Sequence, residues 1–319
     1  MIRDFYTKVG VPSLPFSIDF ATGIVSLGSC FSDEIGERLS DGGFHIEQNP
    51  FGTLYNPASV ASALRKVMYD LEISTDDLVE HEGLWHSWHH HGSFSRPTAE
   101  ECLAACNSRI HQAHQTLKEA ALLMVTFGSA WVFELKGVKG SEEGVKGSER
   151  TIVANCHKLP QQMFVRRRMS VDDIVSLWRP LLDELHACYP ALHTLFTVSP
   201  IRHIGDGAHG NQLSKSTLLL AVDELVDHDL PPAKRKVKGV KVETPDQPVT
   251  AYFPSYEIVL DELRDYRFYD PDMVHPSSLA VDVVWDGFQR ATMVPAVRDQ
   301  AHFNAKQSKR THHVPLHTF

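Results

Sequence analysis

Long apolar runs are missing from this chain, and so is any excess of positive charge. No stretch approaches the roughly twenty apolar residues that a bilayer-spanning helix needs. The first residues form no basic-then-apolar leader either, so the expected location is the cytoplasm, with no membrane span. Lysine and arginine number 31 against 40 aspartates and glutamates, a net charge of −9 that argues against nucleic acid as a partner. Cysteine is scarce: Cys30, Cys102, Cys106, Cys156 and Cys188 are odd in number and irregular in spacing, unlike a secreted disulfide framework. Cys102 and Cys106 lie one helical turn apart without a second pair at zinc-finger spacing, so ordinary helix packing is expected there. Neither Gly-x-Gly-x-x-Gly nor a phosphate-loop lysine occurs, and no cofactor is expected.

What is present is an alternation of short apolar runs with helical periodicity. Ile24-Val25-Ser26-Leu27 runs into Gly28-Ser29-Cys30-Phe31, and Ile35 and Leu39 then mark one face of a helix over roughly 32–41. Further strands are expected at 44–47, 121–127, 195–198 and 249–253, and helices at about 57–69, 98–119, 170–189 and 278–290. Ser214 is expected to cap a helix reaching about Val226. This order predicts a single α/β domain, a three-layer α/β/α sandwich around a mostly parallel sheet. Its core spans about 20–290, with insertions near 72–119 and 136–150. The Gly-, Lys- and Glu-rich residues 136–150 and the Pro-rich, basic 231–243 read as solvated loops. Residues 1–23 are expected to wrap the domain.

Chemistry in such a fold gathers where strands end and helices begin, because unpaired helix N–H groups point there. Cys30 stands at such a post, where a helix N-terminus favours a thiolate. Asp272 and His275 are three residues apart, so one turn can present both to one site. Nucleophilic acyl transfer needs such an assembly: an attacking thiol or hydroxyl, an imidazole base, a carboxylate that orients it and donors for the oxyanion. Gly52 and Asn155 can reach the same edge from loops. Arg202 and His203 follow a core strand and are placed to bind a carboxylate or phosphate, with His203 and Asp206 a second base and orienter. Asn155, His157, Lys158 and Glu257 lie at comparable posts, and Cys156 is a second thiol. His86, His89, His90 and His91 crowd six residues, but no acidic partner stands at close spacing, so loop and pocket-rim roles are expected rather than metal binding.

Gly28-Ser29-Cys30-Phe31, Asn49 through Pro57, Gly128-Ser129-Ala130-Trp131, Ala154 through Lys158, Ser199 through His203, Tyr252 through Glu257 and Asp272-Met273-Val274-His275-Pro276 together resemble the GSCFA domain family, in family order. That family is similar to the SGNH (GDSL-like) hydrolase superfamily. The resemblance implies a flavodoxin-like five-stranded sheet of order 2-1-3-4-5 and hydrolysis or transfer of an acyl group on an ester, thioester or amide. It places Cys30 at the nucleophile, Ser29 at the preceding acid, Gly52 in the oxyanion hole, His275 as base and Asp272 as its orienter. The asparagine that the superfamily carries beyond its third strand has no counterpart in Gly128-Ser129-Ala130, which leaves Ser129 or Asn155 as the substitute. A small-molecule or glycan-linked acyl substrate is implied. Ser29 is the rival nucleophile, and a binding protein that kept the fold without the chemistry is the other reading.

Overall fold

The structure, a computed structural model, describes residues 7–136, 151–227 and 248–312. In chain order the elements begin with β1 (Gly23–Gly28), α1 (Cys30–Asp41), β2 (His45–Gln48), α2 (Pro57–Tyr69), β3 (Leu78–His81) and β4 (Leu84–Ser87). They continue with α3 (Ala99–Glu119), β5 (Ala120–Phe127), β6 (Trp131–Leu135), β7 (Ile152–Val153), β8 (Phe164–Arg168), α4 (Val171–Cys188) and β9 (His193–Val198). α5 (Gly207–Leu225), β10 (Thr250–Tyr252), the one-turn α6 (Ser255–Glu257), α7 (Ser278–Thr292) and α8 (Pro295–His312) complete the described chain.

Five strands form one parallel sheet in the order β2-β1-β5-β9-β10, which is the 2-1-3-4-5 arrangement that the resemblance implied. Every residue of β9 is buried, as are all but one in β1 and in β5, because helices cover both faces. On one face Val25, Leu27, Leu123, Val125, Phe127 and Phe196 meet α2, α3, α4 and α5. On the other, Ile24, Leu122, Met124 and Leu195 meet α1 and α7, with Leu14, Phe16 and Ile18 of the N-terminal segment sealing the margin. Ile18 N–H donates to Thr292 O at 2.8 Å, so the described part of that segment lies against the domain, and residues 1–6 of the expected wrap fall outside the described residues.

The helices start where their sequences cap them. The Asn56 side chain accepts from Ser59 N–H ahead of Pro57, and Ser170 and Asp173 form a reciprocal capping box at α4. α5 departs from expectation, beginning at Gly207 and leaving Ser214 mid-helix. There the Ser214 hydroxyl accepts from Ala130 N–H at 2.8 Å, so it joins α5 to the β5 exit instead of capping. The expected insertion over 72–119 also divides. Residues 72–97 carry the β3–β4 hairpin, but α3 buries Cys102, Cys106, Ile110, Ala113 and Leu117 in the main core and is one of the sandwich helices. The loops expected at 136–150 and 231–243 lie almost wholly outside the described residues. A small antiparallel sheet of β7, β6 and β8 rises directly from the end of β5.

Candidate active site

The β1–α1 turn is built by close approach. Gly28 has φ 151°, and a Cβ there would sit 2.2 Å from Thr126 O on β5, so only glycine lets the two strands end side by side. Asn49, at the end of β2 with φ 36°, ties the turn together. Its Oδ1 accepts from Gly28 N–H at 2.9 Å, and its Nδ2 donates to Ser32 Oγ at 2.9 Å and Asp33 Oδ1 at 2.6 Å. Ser29 then occupies the N-cap position and Cys30 is the first residue of α1.

Cys30 is half-buried. Burial, first, and the nearby Asp33 carboxylate push its thiol above the usual value, while its own N–H, the Tyr55 hydroxyl and Phe31 N–H pull the other way. Tyr55 is raised in turn to about 12, by burial and by the sulfur beside it. Ser29, the rival nucleophile, is 1% exposed, and its hydroxyl has no hydrogen-bond partner among the described residues.

Asp272 and His275 pair in the turn before α7. Asp272 Oδ1 accepts from Val274 N–H at 2.8 Å and His275 N–H at 3.0 Å, and its Oδ2 contacts His275 Nδ1 at 2.6 Å. These bonds hold the carboxylate down at about 2, so it stays ionised and fixes the Nδ1–H tautomer. Nε2 is thereby left as the basic nitrogen. Arg202 N–H to Val274 O, at 3.4 Å, ties the segment after β9 to this turn.

Cys30 and His275 line one cleft of about 560 Å³ at the carboxyl ends of the strands. Its walls include Tyr55 and Asn56 from the β2–α2 loop, Ser129 after β5, Trp131 and Phe133 of β6, Asn155 and Cys156, Arg166 of β8, and Arg202 and His203. Asn155 thus reaches the site; its Oδ1 accepts from His157 N–H at 2.8 Å, which leaves its NH2 as a donor. Ser129 also lines the cleft, with its hydroxyl accepting from Trp131 N–H at 3.2 Å. Gly52 is not part of the lining, and its N–H donates to Asn49 O at 2.7 Å inside a tight turn. A donor already engaged there is unavailable to an oxyanion in this conformation.

The second base and orienter do not pair. Asp206 is taken by Arg166, and His203, pushed down to about 4 chiefly by burial, is neutral at pH 7. His157 and Glu257 are engaged elsewhere, with Ser87 O at 2.8 Å and the Tyr252 hydroxyl at 2.7 Å, and Lys158 does not line the cleft. The clustered histidines part ways: His86 meets Ser95, His89 meets Asp77 at 2.9 Å, His90 meets Ser87, and His91 alone reaches the cleft. Among the described residues no group of three or more His, Cys, Asp or Glu converges on a possible metal position.

Sequence reasoning assigned no role to Tyr55, Asn56, Arg166 or Lys215. Lys215 is fully buried under the cleft floor, donating to Gly128 O at 2.6 Å and Ser199 O at 2.7 Å, and burial lowers it to about 7. Its signal was visible: Asn211, Ser214, Lys215, Leu218 and Val222 form the buried stripe of α5.

The GSCFA family matches residues 23–288. This chain belongs to the GSCFA family. No curated protein matches the GSCFA chain. Among solved structures, a carbohydrate esterase family 3 from Talaromyces cellulolyticus is similar over 87% of the GSCFA chain and 99% of its own, at 6% identity and a TM-score of 0.37. Among the described residues of this GSCFA protein, no helix is long and apolar enough to cross a membrane.

Proposed function

We propose that this protein is an acyl hydrolase or acyltransferase acting on an ester, thioester or amide through a covalent acyl-cysteine intermediate. The observation that carries the reading is the Asp272–His275 pair facing the same cleft as Cys30. A half-exposed imidazole held by an ionised carboxylate is a competent base, and the raised thiol needs one.

In the first half-reaction His275 Nε2 takes the thiol proton as the sulfur bonds to the substrate carbonyl carbon. The carbonyl electrons move onto oxygen, and the N–H groups that open α1 are positioned to meet that oxyanion. Amide donors from Asn56 and Asn155 complete the hole: Asn56 lines the cleft and its oxygen is held by Ser59 N–H. This arrangement supplies the donors that neither Gly52 nor a third-strand asparagine provides. Collapse breaks the bond to the leaving group, which departs with the proton from His275. In the second half-reaction water or an acceptor nucleophile gives its proton to His275 as it attacks the thioester carbon, and the carbon–sulfur bond then breaks as the sulfur takes that proton back, restoring the Cys30 thiol and the neutral imidazole.

The open cleft favours this reading over a binding-only role, and the burial of Ser29 favours the thiol over the hydroxyl. Steady-state turnover of a p-nitrophenyl ester and acyl-thioester panel tests it. C30A and H275A are expected to lose at least about a hundredfold in kcat/KM, and D272N about tenfold or more. Unchanged turnover in C30A removes the acyl-cysteine from the mechanism.

A further inference from the structure

Two arginines line the cleft, and they differ in their partners. Arg166 is neutralised by Asp206 and lies over the Trp131 ring at 4.1 Å. Arg202 has no carboxylate within ion-pair distance among the described residues. Its guanidinium instead lies over the Tyr269 ring at 4.6 Å and the Tyr266 ring at 5.7 Å. The two tyrosines hold the guanidinium by ring and hydroxyl without neutralising its charge, and the N–H donors not given to Tyr266 and Tyr269 remain suited to a planar or tetrahedral oxyanion. Its backbone N–H donates to Val274 O at 3.4 Å, beside the Asp272–His275 pair, so the two segments meet at one edge of the cleft. Of the other basic groups at the cleft, His203 is neutral at pH 7, Lys215 is engaged by two carbonyls beneath the floor, His275 is paired with Asp272 and His91 contacts Ser93.

An arginine that lines the cleft with no carboxylate partner among the described residues, in a protein of net charge −9, has a natural counterpart in an anionic ligand. We infer that the cleft takes an anionic substrate, and that Arg202 binds a carboxylate or phosphate oxyanion carried on it. This deepens the acyl-transfer reading and rests on it for the word substrate. The oxyanion site itself stands or falls separately.

The test needs no turnover. Alkylation of Cys30 by iodoacetamide is followed on the Cys30 peptide by mass spectrometry in the full chain, in the presence of butyrate, methyl phosphate or the neutral isostere butyramide. Wild type is expected to be protected by an oxyanion at concentrations at least tenfold below those needed for butyramide, and the advantage shrinks as salt is added. The better of butyrate and methyl phosphate names the oxyanion. R202Q is expected to erase the difference, while R202K, which keeps the charge without the fork, retains part of it. Equal protection by butyramide in wild type, or an anion preference that survives R202Q, overturns the inference. If R202Q fails to fold, R202K and the salt dependence of wild type decide. Because alkylation reports occupancy alone, a failed acyl-transfer reading leaves the result interpretable.

Discussion

Burial and the Asp33 carboxylate hold Cys30 protonated, while Tyr55 and the first N–H groups of α1 favour the thiolate. The sign of each contribution gives a separate expectation. Removing the like charge in D33N lowers the thiol pKa, so alkylation of Cys30 at pH 8 is expected to rise about two- to fivefold; Y55F, which loses a hydrogen bond to the sulfur, is expected to slow it. A rate unchanged in both variants contradicts this account of the thiol. Lys215 offers a second residue-scale expectation. Its folded value of about 7 lies below the 10.5 of an exposed lysine, so between those limits the unfolded chain binds more protons and stability rises with pH. Below about 7 both states are protonated and the contribution is flat; above 10.5 both are neutral and the penalty is gone. Urea unfolding at pH 7, 8 and 9 is expected to show wild type gaining on K215M by up to about 1.4 kcal/mol per pH unit. Parallel profiles reject the depressed value.

The element that positions the site is the β1–α1 turn, and Asn49 is its tie. N49A leaves Gly28 N–H and Ser32 without their partner and is expected to cost about 1–3 kcal/mol in urea unfolding while also changing Cys30 reactivity. A loss of stability near zero means the turn holds itself. Elements buried on both faces were readable in advance: the runs at 121–127 and 195–198 are continuous because every residue but the half-buried Ala121 is buried. The small β6–β8 sheet was not. Phe164-Val165-Arg166-Arg167-Arg168 ends in three arginines, and two of their partners, Glu134 and Asp206, come from distant sequence. α8 was unreadable for a related reason, since it is polar nearly all round and is held by a few contacts such as Asn304 to Gly42 O at 2.8 Å.

At the scale of the whole molecule, the fold brings together residues from eight separate segments of the chain around one cleft. Cys30 and His275, which line that cleft, and Asp272, which pairs with His275, were singled out by short-range spacing and family resemblance. Asn56 and Tyr55 lie in a stretch that was recognised, yet their roles depend on which side of each group is already hydrogen-bonded, and only the fold settles that. Gly52 shows the converse: its place in the pattern suggested an oxyanion donor, while the tight turn at Asn49 engages its N–H. The central claim is the covalent acyl-cysteine. Intact-mass analysis after exposure to an activated ester, followed by peptide mapping, tests it most directly. The account predicts one acyl group, on Cys30, in wild type, none in C30A and slowed acylation in H275A. Labelling that persists in C30A, or that maps to Ser29, contradicts it.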